Sequence, residues 1–333
     1  MATLGAKALT RIAIASQSGF GTAASIGTAL GEVLFNDAIG SVDLGVTVDL
    51  AENISVGKRT NIQAAATTIV GKNPVISLSE QPASLRTIPL VFDAIGATTT
   101  GAGPYTWTWS PTQGDTDTPV FYSALISDGV QKYLATDLAP TEITLSGDKD
   151  GLVQLGATLG ATSVASSALS YPTALPAQYF LPARLLRLST DTNFPDKSGT
   201  GATDYDHLLS FNLSIDTGFR YINALDAALT ASTAGFTGPL SATLTLTVAS
   251  NSSATTSFPI TSQGSQKFLR IYGTTADSYG LWILGSFTVE SVVPLSADQD
   301  GLVVNEVTLR LSYDTTSGKS LEIVVDSPLS AAP

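Results

Sequence analysis

The sequence has no cysteine, one histidine and one methionine, and only 13% of its 333 residues are charged. Without cysteine there can be no disulfide framework and no thiolate metal site, and a single histidine cannot supply three ligands to zinc. No apolar stretch approaches the roughly 20 residues that span a bilayer. The N-terminal residues hold only a short apolar run, Ile12–Ala15. We therefore expect no secretory signal and no membrane partner.

Positive charge is also scarce. Lysine and arginine total 16 against 28 acidic residues, which gives a net charge of −12. Proteins that hold nucleic acid neutralise its phosphates with basic side chains, so this balance argues against a specific DNA-binding or RNA-binding protein.

Strand signals dominate what the sequence does contain. Apolar and polar residues alternate strictly in Tyr105–Trp109, in Leu240–Val248 and in Val303–Tyr313, which is typical of strands with one buried face. One short helix per half is predicted from apolar spacing, around residues 85–95 despite Pro89, and around residues 216–229. The predicted fold class is all-β.

A nine-residue segment occurs twice, 150 residues apart. Residues 145–153 read LSGDKDGLV, and residues 295–303 read LSADQDGLV. Further apolar and charged residues upstream suggest matches between the halves, which pair Leu78 with Leu213, Arg86 with Arg220, Ile88 with Ile222 and Asp93 with Asp226. This alignment places an insertion in the second copy. We predict an internal duplication with two β-domains, residues 1–170 and 171–333, joined through the proline-interrupted segment Ser163–Pro182.

The repeated segment carries an Asp-x-Asp-Gly pattern in both copies. Alternating carboxylates could suggest calcium, but leucine occupies the position where an EF-hand loop needs glutamate. Aspartate followed by glycine favours a tight type I′ hairpin turn between strands. The predicted structural turns consist of Asp148, Asp150 and Gly151 in the first copy and Asp298, Asp300 and Gly301 in the second.

Other patterns give little support for catalysis. The segment Gly19–Ala24 matches a dinucleotide-binding fingerprint but is not followed by a convincing amphipathic helix, so a mobile glycine-rich N-terminal arm is preferred. His207 lies among carboxylates in a polar stretch, and no nucleophile elbow accompanies it. We predict that the chain is not an enzyme, with no catalytic residues, no cofactor and no metal site.

The order of several segments resembles the major tail tube proteins of long-tailed, siphovirus-type bacteriophages. The segments are the N-terminal arm with Gly19–Ala24, the strand Ile76–Glu80, a short helix, Gly101–Trp109, and the hairpin from Glu142–Leu145 to Leu152–Leu155. The resemblance covers most of residues 10–160 and recurs more weakly over 184–325.

The resemblance implies tandem β-sandwich or half-barrel domains whose strands join those of neighbouring subunits to line a tube. With two domains per chain, it implies trimeric pseudo-sixfold rings that stack into a channel for DNA passage. The implied partners are the chain itself and other tail proteins such as the tape measure and the terminator, with DNA only in passage. The implied location is the virion tail, assembled in the host bacterial cytoplasm.

Two other functions fit the composition. A two-domain β-sandwich adhesin or receptor-binding virion protein would explain the serine-rich and threonine-rich strands and would use exposed tryptophans. A carbohydrate-active enzyme would need paired carboxylates in a cleft.

Overall fold

A computed structural model describes residues 11–24, 26, 32–36, 39–50, 67–111, 118–170, 176–205, 207–223, 230–250, 258–299 and 302–333. The strands of the first half are β1 Arg11–Ser16, β2 Glu32–Asn36, β3 Ile39–Asp43, β4 Val46–Leu50, β5 Thr67–Lys72, β6 Val75–Pro82, β7 Thr98–Thr100, β8 Tyr105–Trp109, β9 Tyr122–Ser127, β10 Lys132–Asp148, β11 Gln154–Gly160 and β12 Ser163–Ser166.

The second half continues the series with β13 Arg187–Asp191, β14 Thr203–Tyr205, β15 Leu208–Asp216, β16 Phe219–Ile222, β17 Thr233–Phe236, β18 Ser241–Ala249, β19 Gln266–Thr274, β20 Gly280–Gln299, β21 Leu302–Leu311 and β22 Leu321–Ser327. One α-helix, α1, spans Ile88–Asp93, and short 3₁₀-helices span Ala183–Leu185 and Ile260–Ser262. The all-β prediction is confirmed.

Nearly all strands belong to one large antiparallel sheet. Its main path runs β3–β6–β11–β10–β15–β18–β21–β20. Among the described residues the pairings do not return to their starting strand, and this path runs from β3 at one end to β20 at the other. Two hairpins, β4–β5 and β16–β17, stand apart as two-stranded sheets.

The two long strands each serve two sets of neighbours. The first part of β10 pairs with β9 and β12, and its last part pairs with β11 and β15. Similarly, the first part of β20 pairs with β19 and β22, and its last part pairs with β21. Register shifts interrupt both strands, as expected where a strand bends from one layer into another.

The two halves use the same strand order. The set β2–β1–β9–β10–β12 in the first half matches β14–β13–β19–β20–β22 in the second. The set β3–β6–β11–β10 likewise matches β15–β18–β21–β20. In chain order the hairpins β4–β5 and β16–β17 also fall at the same place.

This order corrects part of the alignment between the halves. The strand that matches β6 is β18, so Leu78 in β6 does not correspond to Leu213, which lies in β15. The extra segment belongs to the first half, because residues 83–121 between β6 and β9 include α1, β7 and β8. Its equivalent between β18 and β19, residues 250–265, includes only the 3₁₀-helix Ile260–Ser262 among the described residues.

The helix predictions had opposite outcomes. Helix α1 lies within the predicted region, and Pro89 stands in its first turn, where a missing N–H breaks no helical hydrogen bond. The helix predicted from residue 216 is wrong: Phe219–Ile222 is strand β16, paired with β17. Residues 224–229 lie outside the described residues.

One hydrophobic core serves both halves. It combines buried residues of the first half, such as Ile12, Ile76 and Ile143, with buried residues of the second half, such as Leu213, Leu244 and Leu309. Strand pairing also crosses the predicted boundary at residue 170 twice, through β10–β15 and through β8–β22. The boundary itself falls between β12 and β13.

Candidate functional site

The two halves are joined by a strand pairing that we call the junction. It consists of residues 142–148 of β10 aligned antiparallel with residues 210–216 of β15. At its centre Leu145 lies opposite Leu213, and both side chains are fully buried. Burying an aliphatic side chain of this size contributes about 1.5–3 kcal/mol. The junction is therefore a continuous part of the core.

The turn after β10 is held by the segment that opens the second half. The Val153 N–H donates to the Leu181 carbonyl at 2.9 Å, and the Ala183 N–H donates to the Gly151 carbonyl at 3.0 Å. On the other side, the Lys149 N–H donates to the Leu209 carbonyl at 2.9 Å. The tip of the β10–β11 hairpin is thus fixed on both sides by the second half.

A tyrosine from the second half is bound at the bend of β10. The Tyr221 hydroxyl, in β16, lies 2.6 Å from the Asp137 carbonyl and 2.8 Å from the Gly160 carbonyl, and it accepts the Ala139 N–H at 2.9 Å. Burial strongly raises the pKa of Tyr221, so the hydroxyl keeps its proton and remains a donor. This contact connects the β16–β17 hairpin to the first half.

Asp137 occupies an unusual backbone conformation at this bend. Its φ is 56°, in the left-handed region, and its side chain is buried. The carboxylate accepts hydrogen bonds from the Thr162 hydroxyl and from the Gly21 N–H, the latter at 2.6 Å. These bonds offset the cost of the strained backbone and of the buried carboxylate.

The same bonds fix the glycine-rich segment near the N-terminus. Gly21 is bound to Asp137, and the Ala24 N–H donates to the Ser123 hydroxyl at 2.9 Å. Gly19–Ala24 thus contacts β9 and β10 through these two bonds. The preceding strand β1 pairs antiparallel with β2 and β9, and residues 22–24 are not helical. This surrounding structure differs from the βαβ unit that a dinucleotide site requires.

The strand edges at the two ends of the main path are unpaired among the described residues. Strand β3 pairs only with β6, and the part of β20 after Glu290 pairs only with β21, with residues 294–296 bulged out of the pairing. Both ends expose apolar side chains. They are Leu44 and Val75 beside β3, and Val293, Leu295, Leu302 and Val303 on the β20–β21 hairpin. Unpaired strand edges with exposed apolar residues are surfaces to which another strand adds readily.

The predicted aspartate–glycine turns lie at matching hairpins. In the first, the Gly151 N–H donates to the Asp148 carbonyl at 2.8 Å, and the Asp150 N–H donates to the Asp148 carboxylate at 3.2 Å. Neither Asp150 nor Gly151 has a positive φ, so this turn is not the predicted type I′ turn. In the second, Asp298 lies in β20, whereas Asp300 and Gly301 lie outside the described residues.

The described part of the chain shows no constellation of catalytic groups. No cluster of three or more metal-ligating side chains occurs there, and His207 is exposed, with its ring against Tyr205. The buried carboxyl group of Asp93 accepts a hydrogen bond from Tyr122, and burial raises the pKa of Asp93. Tyr122 lines a small apolar cavity beside α1. No described helix is long and apolar enough to cross a membrane.

The tryptophans differ from the expectation for an adhesive surface. Trp107, Trp109 and Trp282 are all buried. The Trp107 indole N–H donates to the Leu329 carbonyl at 2.8 Å, and the Trp109 indole N–H donates to the Ile95 carbonyl at 3.2 Å. These two tryptophans anchor β8 within the fold and present no aromatic surface to a ligand.

No protein-family model matches the chain, and no curated protein matches it.

Proposed function

We propose that the chain is the structural subunit of a bacteriophage tail tube, which assembles into stacked rings that form a channel for DNA passage. The observation that carries the proposal is the junction: one half adds its strand edge to the other half inside the chain, and the equivalent edges at both ends have no strand partner among the described residues. A subunit with this arrangement is suited to adding further copies of itself.

The geometry of such addition favours a ring. The two open edges are different surfaces, so copies join head to tail, and head-to-tail contacts give a ring when the rotation closes and a filament when it does not. If each chain provides two equivalent β-units, three chains provide six. The internal duplication and the two domains, residues 1–170 and 171–333, belong to this proposal and are supported by the repeated strand order.

Charge supports a channel through which DNA passes without being held. The net charge of −12 repels phosphates, so a lumen built from this chain has low affinity for DNA. In this proposal the partners are other copies of the chain and further tail proteins such as the tape measure and the terminator. The location is the virion tail, after assembly in the host cytoplasm.

Negative-stain electron microscopy of the purified chain tests the proposal. The expected result is rings or long tubes with a central channel. A matched pair of variants makes the test specific, because Leu295 and Ile260 are both highly exposed leucine-sized residues but only Leu295 lies on an open edge. We expect Leu295→Asp to reduce assembly and Ile260→Asp to leave it unchanged. Discrete single-chain particles at every concentration would contradict the proposal.

A further inference from the structure

We infer that the free edge of β20 pairs antiparallel with β3 of a second copy of this chain, with Ser296 opposite Ser41. The inference rests on the proposed function and specifies its contact surface. It reproduces between chains the junction that β10 and β15 make within one chain.

The counterpart of β3 in the second half follows from two ladders. Ser41 pairs with Ser77, which pairs with Thr158 of β11. In the second half Asn212 pairs with Thr245, which pairs with Thr308 of β21. Thr158 and Thr308 are 150 residues apart, the same separation as between the repeated nine-residue segments. Ser41 therefore takes the place of Asn212.

The same ladders match the apolar neighbours. Val42 pairs with Ile76, which pairs with Leu159 of β11. Leu213 pairs with Leu244, which pairs with Leu309 of β21. Leu159 and Leu309 are also 150 residues apart. Val42 thus takes the place of Leu213 at the centre of the junction.

The counterpart of the β10 edge follows from the repeated segment. Ser146, which lies opposite Asn212, is the second residue of the first copy, and Ser296 is the second residue of the other copy. By the same match Leu295 takes the place of Leu145. Combining the two correspondences puts Ser296 opposite Ser41, and Leu295 opposite Val42, in a neighbouring chain.

Burial supports this match. Leu145 is fully buried inside the junction, whereas Leu295 is 72% exposed. On the opposite edge Ile215, the junction residue two positions after Leu213, is fully buried, and its counterpart Leu44 is 49% exposed. The counterparts of Leu145 and Ile215 are thus exposed at the two ends of the strand path, whereas Val42, the counterpart of Leu213, is already half-buried against the core. Pairing these ends would bury them in the same way.

The free β20 edge has features that limit indiscriminate strand addition. Residues 294–296 form a bulge between the paired residues Val293 and Ala297. Within it Pro294 lacks an N–H, and Leu295 has a φ of 56°, in the left-handed region. Proline and bulges blunt an exposed edge. In β21 the match of Gln154 is Val304, which lies opposite Ala297 and not Ser296, and the Leu295 N–H donates to the Asn305 side chain at 3.2 Å. Pairing in the register of the repeated segment therefore requires the bulge to rearrange when the edge meets β3.

Disulfide trapping tests the pairing directly, because the chain contains no cysteine. Opposite residues of an antiparallel pair have Cα atoms about 4.5–5.5 Å apart, within the range that a disulfide bridges. Ser41 and Ser296 are both exposed, so Ser41→Cys and Ser296→Cys are mild substitutions. The two single variants are mixed, allowed to assemble and oxidised.

The expected product is a covalent dimer that forms in the mixture and not in either single variant alone. The positive control is Ser146→Cys with Asn212→Cys in one chain, which should close a disulfide within the known junction. The negative control mixes Ser296→Cys with Ser198→Cys, another exposed serine outside both edges.

The outcomes separate this inference from the proposed function. If rings or tubes form and the positive control closes, but Ser41→Cys and Ser296→Cys stay unlinked, the pairing of β3 with β20 is wrong and the tube function is retained. A covalent dimer of Ser296→Cys with itself would also overturn the head-to-tail pairing. If the purified chain neither assembles nor crosslinks, both proposals fail.

Discussion

Replacing Tyr221 by phenylalanine removes a single oxygen atom from the contact that holds the β16–β17 hairpin against β10. The hydroxyl accepts the Ala139 N–H at 2.9 Å and lies within hydrogen-bond distance of the Asp137 and Gly160 carbonyls. A hydroxyl donates one proton at a time. The variant therefore leaves the Ala139 N–H and one carbonyl without their partner.

The magnitude follows from these two groups. A buried polar group without a partner costs about 1–3 kcal/mol, so two such groups would cost about 2–6 kcal/mol. Because these contacts are only partly buried, we expect Tyr221→Phe to lower the free energy of unfolding by about 2–4 kcal/mol, the lower part of that range. The matched control is Tyr133→Phe, because the Tyr133 hydroxyl bonds only to the exposed Gln131 side chain in the described structure. Exposed changes of this kind are usually within about 0.5 kcal/mol.

Urea unfolding followed by tryptophan fluorescence measures both variants, since the three tryptophans are buried. Amide hydrogen exchange adds a local readout, because the Ala139 amide should exchange faster in Tyr221→Phe than in the parent chain. Equal stability of Tyr221→Phe and Tyr133→Phe, with unchanged exchange at Ala139, would refute the role assigned to this hydroxyl.

Three further predictions concern buried groups. Gly160→Ala should destabilise the chain at least as much as Tyr221→Phe, because a Cβ at position 160 would lie 2.1 Å from the Tyr221 ring; urea unfolding checks this. Burial raises the pKa of Tyr205 to about 12. The contribution of the protonated Tyr205 hydroxyl to stability is therefore complete below its ordinary pKa of about 10 and is lost as the pH rises toward 12. Unfolding curves across this range, with Tyr205→Phe as control, should show the loss. At neutral pH Asp93→Asn should leave stability unchanged or raise it, since burial disfavours the carboxylate, whereas Asp93→Ala should lower it by about 1–3 kcal/mol by removing the acceptor of Tyr122; thermal unfolding compares the two.

The sequence predicted the elements whose signals are local. The alternating segments Tyr105–Trp109 and Leu240–Val248 correspond to β8 and β18. The repeated nine-residue segment correctly located two matching hairpins. These predictions succeed because period-two patterning and short repeats need no knowledge of distant partners.

The sequence misled where neighbours in space decide the structure. Residues from Phe219 have helix-like apolar spacing, but Phe219 is fully buried against the rings of Phe121, Tyr221 and Phe236, two of which lie in the β16–β17 hairpin. This aromatic cluster favours a strand that pairs with β17. The contact between Tyr221 and the bend of β10 has no signal in the sequence, because it joins residues more than 80 positions apart.

Alignment of the halves failed for a related reason. Strand order contradicts short residue matches such as Leu78 with Leu213, because β18 and not β15 occupies the place of β6 in the second half. Weak residue matches lose their meaning when the first half carries α1, β7 and β8 between equivalent strands. The free edges, which form the candidate site, become visible only once every strand has been assigned its partners.

Native mass spectrometry of the assembled protein tests the central claim most directly. If each chain supplies two equivalent β-units, a single ring has three times the 34.3 kDa mass of one chain. A ring of six chains would contradict the equivalence of the two halves. A protein that stays at the mass of one chain under all assembly conditions would contradict its role as a tube subunit.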